Sequence, residues 1–177
     1  MERALADQLE ALHPDAFGWA LHCCAGNQAQ AEDVLQNAYL KLAQERASHD
    51  GRSSFKTWWF GVIRLTAHEE FRRQRYRESL PARLLRQITG DTSDPRPCPA
   101  RQMDLDEQSR ELRQALSQLP PRQSEVLHLV FYQDLSIREA ATIMNISLGS
   151  ARQHYERGKA RLRSLLESCQ ATHHEPA

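Results

Sequence analysis

Residues 90–99 read GDTSDPRPCP, with three prolines and a glycine in ten positions. A proline lacks the amide hydrogen that a helix needs, and its ring collides with the turn before it. No regular helix crosses this stretch, which has no apolar periodicity and reads as an extended linker. Compact structure must therefore form separately on its two sides. On both sides apolar residues recur at helical spacing, and strand signals are almost absent. With 40% hydrophobic residues the chain can build packed cores, which excludes wholesale disorder. The sequence predicts an all-α protein, two small helical domains joined by a flexible linker.

In the first block the apolar positions Ala31, Val34, Leu35, Ala38 and Leu42 mark one helix. Phe55, Trp58, Trp59, Val62, Ile63, Ala67 and Phe71 mark the next, with Ser54 as its N-cap. Two earlier helices are expected, one with Leu5, Leu9 and Leu12 and one with Phe17, Ala20 and Leu21, broken at Pro14. Leu84, Leu85 and Ile88 can extend this block.

In the second block Leu105, Leu112, Ala115, Leu116 and Leu119 are helical in spacing. Pro120-Pro121 then opens a new helix carrying Val126, Leu127, Val130 and Phe131. Ser136 and Glu139 form the capping box S-x-x-E ahead of Ile137–Met144, which holds the small pair Ala140-Ala141. Asn145 suits a left-handed residue after a helix end, and Ile146 can close it. Ser147 caps the last helix, whose inward stripe is Ala151, Tyr155, Leu162 and Leu166. A short helix, a turn of about three residues and an Arg-rich second helix form a helix-turn-helix signature. An ordinary helical hairpin with a solvated basic face is the alternative; the caps, small pair and basic helix together favour DNA binding.

The chain has 23 basic and 23 acidic side chains, a formal net charge of zero. A basic domain is the usual footprint of nucleic-acid binding, so the total argues against it. The distribution argues otherwise. Residues 1–50 hold 3 Lys/Arg and 8 Asp/Glu, and residues 51–100 hold 10 and 5. Residues 101–150 hold 5 and 7, and residues 151–177 hold 5 and 3. Blocks of opposite sign suggest more than one kind of partner surface. On the last helix Arg152, Arg157 and Lys159 can neutralise phosphates, while Ser150, Gln153 and His154 can reach base edges. A second basic cluster, Arg64, Arg72, Arg73, Arg75 and Arg77, follows Trp58 and Trp59. Aromatics beside arginines suit an unpaired strand, the rings stacking on bases and the cations tracking the backbone. The tryptophans can equally be core, and Trp58 with Val62 is the better core pair.

Cys23, Cys24, Cys98 and Cys169 show no C-x-x-C spacing and no paired framework. No metal and no cofactor are expected. No apolar run approaches the ~20 residues of a membrane span, and MERALADQLEALH has no secretory pattern, so a cytoplasmic protein without membrane insertion is expected.

AEDVLQNAYLKL (31–42) resembles the domain 2 helix of bacterial sigma-70 family factors. FKTWWFGVIRLTAHEEFRRQRYR (55–77) resembles the promoter-melting segment that follows it. LPPRQSEVLHLVFYQDLSIREAATIMNISLGSARQHYERGKARLR (119–163) resembles domain 4. Two such domains with no domain 3 between them are similar to the extracytoplasmic-function (ECF) layout. The resemblance implies domain 2 over 10–78, a linker over 79–107, domain 4 over 108–166 and a tail over 167–177. It implies a non-catalytic subunit that binds core RNA polymerase and directs promoter-specific initiation. Asp33, Gln36, Asn37 and Lys41 would meet the β′ clamp helices, an acidic-amide face against a basic partner. Trp58, Trp59, Arg64, Arg72, Arg73 and Arg75 would open and hold the non-template strand at the −10 element. Ser150, Arg152, Gln153, His154, Arg157 and Lys159 would enter the −35 major groove. The β flap and an anti-sigma factor are further implied partners. The chain has Arg64-Leu65 and Glu69 where the family has arginine-asparagine and an aspartate. It has Arg152-Gln153-His154 where a basic-Ser-Arg run is common. Its promoter is therefore expected to differ from the commonest one. Two other readings remain open: a helix-turn-helix regulator acting without replacing sigma, and a sigma-mimicking adaptor.

Overall fold

A computed structural model describes the backbone of residues 2–89 and 115–172, and the side chains of 5–77 and 115–167. The linker stretch 90–99 lies outside the described residues. The chain divides into two compact units, Met1–Ala100 and Arg101–Ala177. Among the described residues every regular element is a helix. Unit 1 holds α1 (Glu2–Cys23), α2 (Gln28–Ala43) and α3 (Phe55–Thr89); unit 2 holds α4 (Pro121–Phe131), α5 (Ile137–Met144) and α6 (Leu148–Thr172).

In unit 1 the three helices pack pairwise around Ala16, Trp19, Ala20, Ala31, Val34, Leu35, Ala38, Trp59, Phe60, Ile63 and Ala67, all buried. Each large side chain removed from water here contributes roughly 1.5–3 kcal/mol. The Trp19 indole N–H donates to the Phe60 carbonyl at 3.0 Å, so this core tryptophan is satisfied. The α1–α2 turn runs through Ala25 and Gly26 at positive φ, 51° and 84°. Asn27 then caps α2, its Oδ1 accepting from the Gln30 amide at 3.1 Å. Ser54 caps α3 as expected, its Oγ accepting from the Thr57 amide at 3.2 Å.

The break expected at Pro14 does not occur. α1 is one helix through Pro14. An interior proline costs roughly 3 kcal/mol, and here both α2 and α3 lie against α1. Lys56 pairs with Asp15 at 2.8 Å, just after the proline. α3 runs past residue 78 and through Pro81 to Thr89, in line with the extension that Leu84, Leu85 and Ile88 allow.

In unit 2, Pro121 occupies the first position of α4. Val126, Leu127 and Leu129 face the core, with Leu135, Ala140, Ala141, Ile143, Met144 and Ala151 from the rest of the unit. Phe131 is 56% exposed, so the core stripe of α4 passes through Leu129 rather than Phe131. The capping box forms: the Glu139 amide donates to Ser136 Oγ at 3.3 Å and the Ser136 amide to Glu139 Oε2 at 2.9 Å. Asn145 is left-handed (φ 52°, ψ 51°). Its amide reaches the Thr142 carbonyl at 3.2 Å and that of Ile146 the Ala141 carbonyl at 3.1 Å, a complete Schellman closure. Ser147 Oγ accepts from the Ser150 amide at 3.1 Å and starts α6.

Candidate nucleic-acid interface

The capped turn fixes the angle at which α6 leaves α5, and so decides which side chains of α6 face outward. Ala151 is buried against the unit, and one turn pair later Gly158 is buried too. A Cβ on Gly158 would lie 3.1 Å from Leu127 Cδ1 and 3.3 Å from Gln123 Cβ. Glycine here lets α6 press on α4, and the sequence reading, which named Tyr155 in the inward stripe, missed it. Tyr155, Leu162 and Leu166 are only half-buried. Arg152, Gln153 and Arg157 are exposed on the outer side, with Arg161 and Arg163 beyond them, while His154 is half-buried. Two of the expected contacts already have partners. The Ser150 hydroxyl lies 2.9 Å from that of Ser147 and belongs to the cap. Lys159 sits over the Tyr155 ring, 5.1 Å from its centroid, and 3.9 Å from Glu156.

On α3 the structure divides the expected group. Trp59 and Arg64 are 0% and 3% exposed. Neither can meet a strand from inside the bundle, and both are corrected to core positions. The reason is register: the buried line on α3 is Trp59, Phe60, Ile63 and Ala67, not Trp58 and Val62, which stay half-exposed. Trp58 instead joins a surface cluster with His49 and Phe55, ring centroids 5.4 Å away in each case. Arg72, Arg73 and Arg75 are exposed, and Arg73 pairs with Glu70 at 3.0 Å. The same side adds Leu65 (55% exposed), noted from sequence only as a departure from the family, and Tyr76 (67% exposed), which was missed. Their spacing with Arg72, i, i+7 and i+11, was the available signal. Gly61 opens this ribbon further, since a Cβ there would meet nothing within 4 Å.

On α2 the expected polar face also divides. Asp33 and Gln36 are exposed, together with Leu40. Asn37 and Lys41 are turned against α3. The Asn37 amide donates to Glu70 at 3.2 Å. The Lys41 ammonium donates to Thr66 Oγ1 at 3.0 Å and to Glu69 at 2.7 Å. Both residues tie α2 to α3 and stay half-exposed, so they are less open to a partner than Asp33 and Gln36. Glu69, where the family has an aspartate, is thereby engaged within the bundle. Beside Asp33 the Cys24 thiol is pushed up to about 11, first by burial and then by the Asp33 charge. It is an inert core thiol at neutral pH. Among the described residues no group of three His, Cys, Asp or Glu is placed to hold a metal ion, and no helix is long and apolar enough to cross a membrane.

Comparison with known proteins follows the same division. A model of sigma-70 region 2 matches residues 9–77, and a model of sigma-70 region 4 matches residues 109–162. The chain is 31% identical to the RNA polymerase sigma factor CarQ of Myxococcus xanthus, over 79% of this chain and 76% of the relative. It is 29% identical to the ECF RNA polymerase sigma factor SigX of Bacillus subtilis, over 94% of this chain and 86% of the relative. Its fold is similar to the sigma factor RpoE of Bartonella quintana, solved with the anti-sigma factor NepR. The TM-score is 0.67 at 24% identity, covering 93% of this chain and 98% of that one.

Proposed function

Because this chain belongs to the sigma-70 family, as one of its ECF sigma factors, we propose that it acts in the cytoplasm as a non-catalytic initiation subunit of RNA polymerase. It docks on core enzyme and directs it to promoters, and the polymerase carries the active site. The observation that carries this reading is the doubly capped turn of unit 2 in front of a helix whose arginines are exposed. A helix so presented can enter a major groove and meet phosphates on both sides.

The parts divide the work. Asp33 and Gln36 on α2, with Leu40 at one end, form an acidic-amide strip with an apolar end, suited to a basic helix of the β′ clamp. On α3, Trp58, Leu65, Arg72, Arg75 and Tyr76 form a ribbon for the unpaired non-template strand at the −10 element. Rings and Leu65 meet bases, and arginines follow the backbone. Leu65 offers no hydrogen bond, so its contact with a base is apolar, the kind a thymine methyl can give. In unit 2, Arg152, Gln153 and Arg157 read the −35 groove. Residues 10–78 and 108–166 serve as domains 2 and 4, joined by the segment 79–107. The β flap and an anti-sigma factor are further partners of the kind family members have.

The test is run-off transcription with purified core polymerase on a genomic promoter library. The chain should form a stable holoenzyme and start transcripts at a defined set of sites. Asp33→Arg should reduce core binding at least tenfold while leaving unit 2's DNA contact intact. Failure to bind core would overturn the reading. Palindromic operator binding without polymerase would replace it with a conventional regulator.

A further inference from the structure

Two carboxylates interrupt the arginine cluster of α3: Glu69 and Glu70 stand between Leu65 and Arg72. Residues three and four apart share a helix face. Glu69 therefore lies one turn from Leu65 on one side, and one turn from Arg72 and Arg73 on the other. It stands within the ribbon proposed for the unpaired strand, where an uncompensated negative charge repels phosphates. Charges act over roughly 8 Å at physiological salt, so Glu69 would also draw the ribbon's arginines to itself.

The structure handles the two carboxylates differently. Glu70 pairs with Arg73 of its own helix at 3.0 Å and accepts from the Asn37 amide at 3.2 Å. That pair takes up one cation of the cluster. Glu69 pairs instead with Lys41 at 2.7 Å, a cation brought by α2. The Lys41 ammonium is held from a second side by Thr66 Oγ1 at 3.0 Å. Thr66 is buried, and its hydroxyl donates to the Val62 carbonyl at 2.9 Å, so its oxygen is turned to accept. One carboxylate and one oriented hydroxyl thus fix the ammonium beside α3. The Lys41 and Glu69 side chains are 20% and 40% exposed, which puts the pair at the ribbon's edge rather than in the core. An ion pair this open contributes little to stability, so its charge effect on the ribbon is the larger consequence.

We infer that Lys41 is a charge mask: it neutralises Glu69 with a cation from outside α3 and so leaves Arg72 to the unpaired strand. This rests on the reading of α3 as the strand-binding ribbon. Lys41 is a positioning residue here, acting on DNA only through Glu69. A clasp that merely joins α2 to α3 needs both partners equally. A mask is needed only while Glu69 carries its charge. The two roles therefore differ in what removal of Glu69 does.

The experiment uses holoenzyme assembled from the full chain and core polymerase, with premelted promoter DNA from the run-off set as the probe. Lys41→Met should weaken DNA binding about fivefold at low salt. Lys41→Arg keeps the charge and should restore most of that loss. Glu69→Gln alone should bind as well as the parent chain or about twofold tighter. In the Glu69→Gln background, Lys41→Met should change binding by less than about twofold. The loss in Lys41→Met should shrink from about fivefold toward about twofold as salt rises from about 0.05 to about 0.3 M. If Glu69→Gln weakens binding as much as Lys41→Met, the pair is a clasp and the mask is overturned. A Lys41→Met loss that persists in the Glu69→Gln background also overturns it. Core affinity of the same variants then assigns Lys41 to the polymerase if it falls and to direct DNA contact if it does not. Arg72→Ala is the reference for the ribbon. If it weakens binding while Lys41→Met does not, the mask fails alone. If Arg72→Ala has no effect, the ribbon reading and the mask fall together.

Discussion

Helices α3 and α6 both carry arginine clusters, but they spend their surfaces differently. Between Thr57 and Ala67, α3 buries Thr57, Trp59, Phe60, Ile63, Arg64, Thr66 and Ala67. Between Leu148 and Glu167, α6 buries only Ala151 and Gly158. One helix is the centre of a bundle, and the other leans on its unit through two small residues. On α3 an arginine's place in a cluster therefore does not decide whether its charge reaches solvent; the neighbouring helices do. On α6 nearly every charge stays outside because the contact line is so narrow.

The sharpest way to break this contrast is at the two tryptophans. Trp59→Ala should destabilise unit 1 by about 3–5 kcal/mol, a large share of a small domain's stability. Chemical denaturation of the full chain should show it as an early loss of unit 1 helicity. Trp58→Ala, one residue away, should leave the midpoint nearly unchanged. Its effect should appear instead on premelted promoter DNA bound by holoenzyme, where a lost base stack costs about 1–3 kcal/mol. If the two variants exchanged these behaviours, the buried line on α3 would be misassigned.

A smaller contrast separates two arginines. Arg157→Ala should weaken duplex binding and make the dependence of log K on log salt shallower by about 0.9, one phosphate contact's worth. Arg64→Ala should leave that slope alone. Arg64 is buried, so its loss should appear as a stability change of about 2 kcal/mol. Salt titrations of DNA binding and denaturation curves on both variants check the pair. An unchanged slope for Arg157→Ala would remove that residue from the groove.

What could be read in advance follows from the range of each interaction. The caps at Ser54 and Ser136, the left-handed Asn145 and the proline at the start of α4 are local, and their residues name the geometry almost alone. The exposed arginines of α6 were legible for the same reason: helical spacing puts them opposite Ala151. The register of α3 was not. Trp58 and Trp59 are adjacent, and both fall within the arc that a helix can bury. The choice is made by Trp19, whose indole reaches the Phe60 carbonyl from 41 positions away in sequence. The same holds for α2. Asn37 and Lys41 look like a partner-facing surface until Glu70 and Glu69 arrive, 33 and 28 positions further on. Pro14 reads as a break because the local rule is strong, and only packing by α2 and α3 overrides it. The sequence could not show the stacked His13–Tyr39 pair either, since it needs α1 and α2 brought together.

Gly158 gives the smallest and most balanced test of the narrow contact line. Alanine in a helix interior is favoured over glycine by about 1 kcal/mol, so Gly158→Ala should stabilise α6 if space were free. Space is not free. The added methyl would lie 3.1 Å from Leu127 Cδ1 and 3.3 Å from both Leu127 Cγ and Gln123 Cβ. Leu127 is 2% exposed and cannot swing into solvent; Gln123 Cβ is held by the α4 backbone. Overpacking of this kind costs about 1–3 kcal/mol, which exceeds the propensity gain. The expected net is a loss of about 1 kcal/mol in unit 2 stability, with α6 pushed outward from α4. Gly158→Ala combined with Leu127→Val should recover part of that loss, because shortening Leu127 relieves the closest contact. If Gly158→Ala alone raised stability, α6 would have room to move, and the fixed outward display of Arg152, Gln153 and Arg157 would lose its mechanical basis.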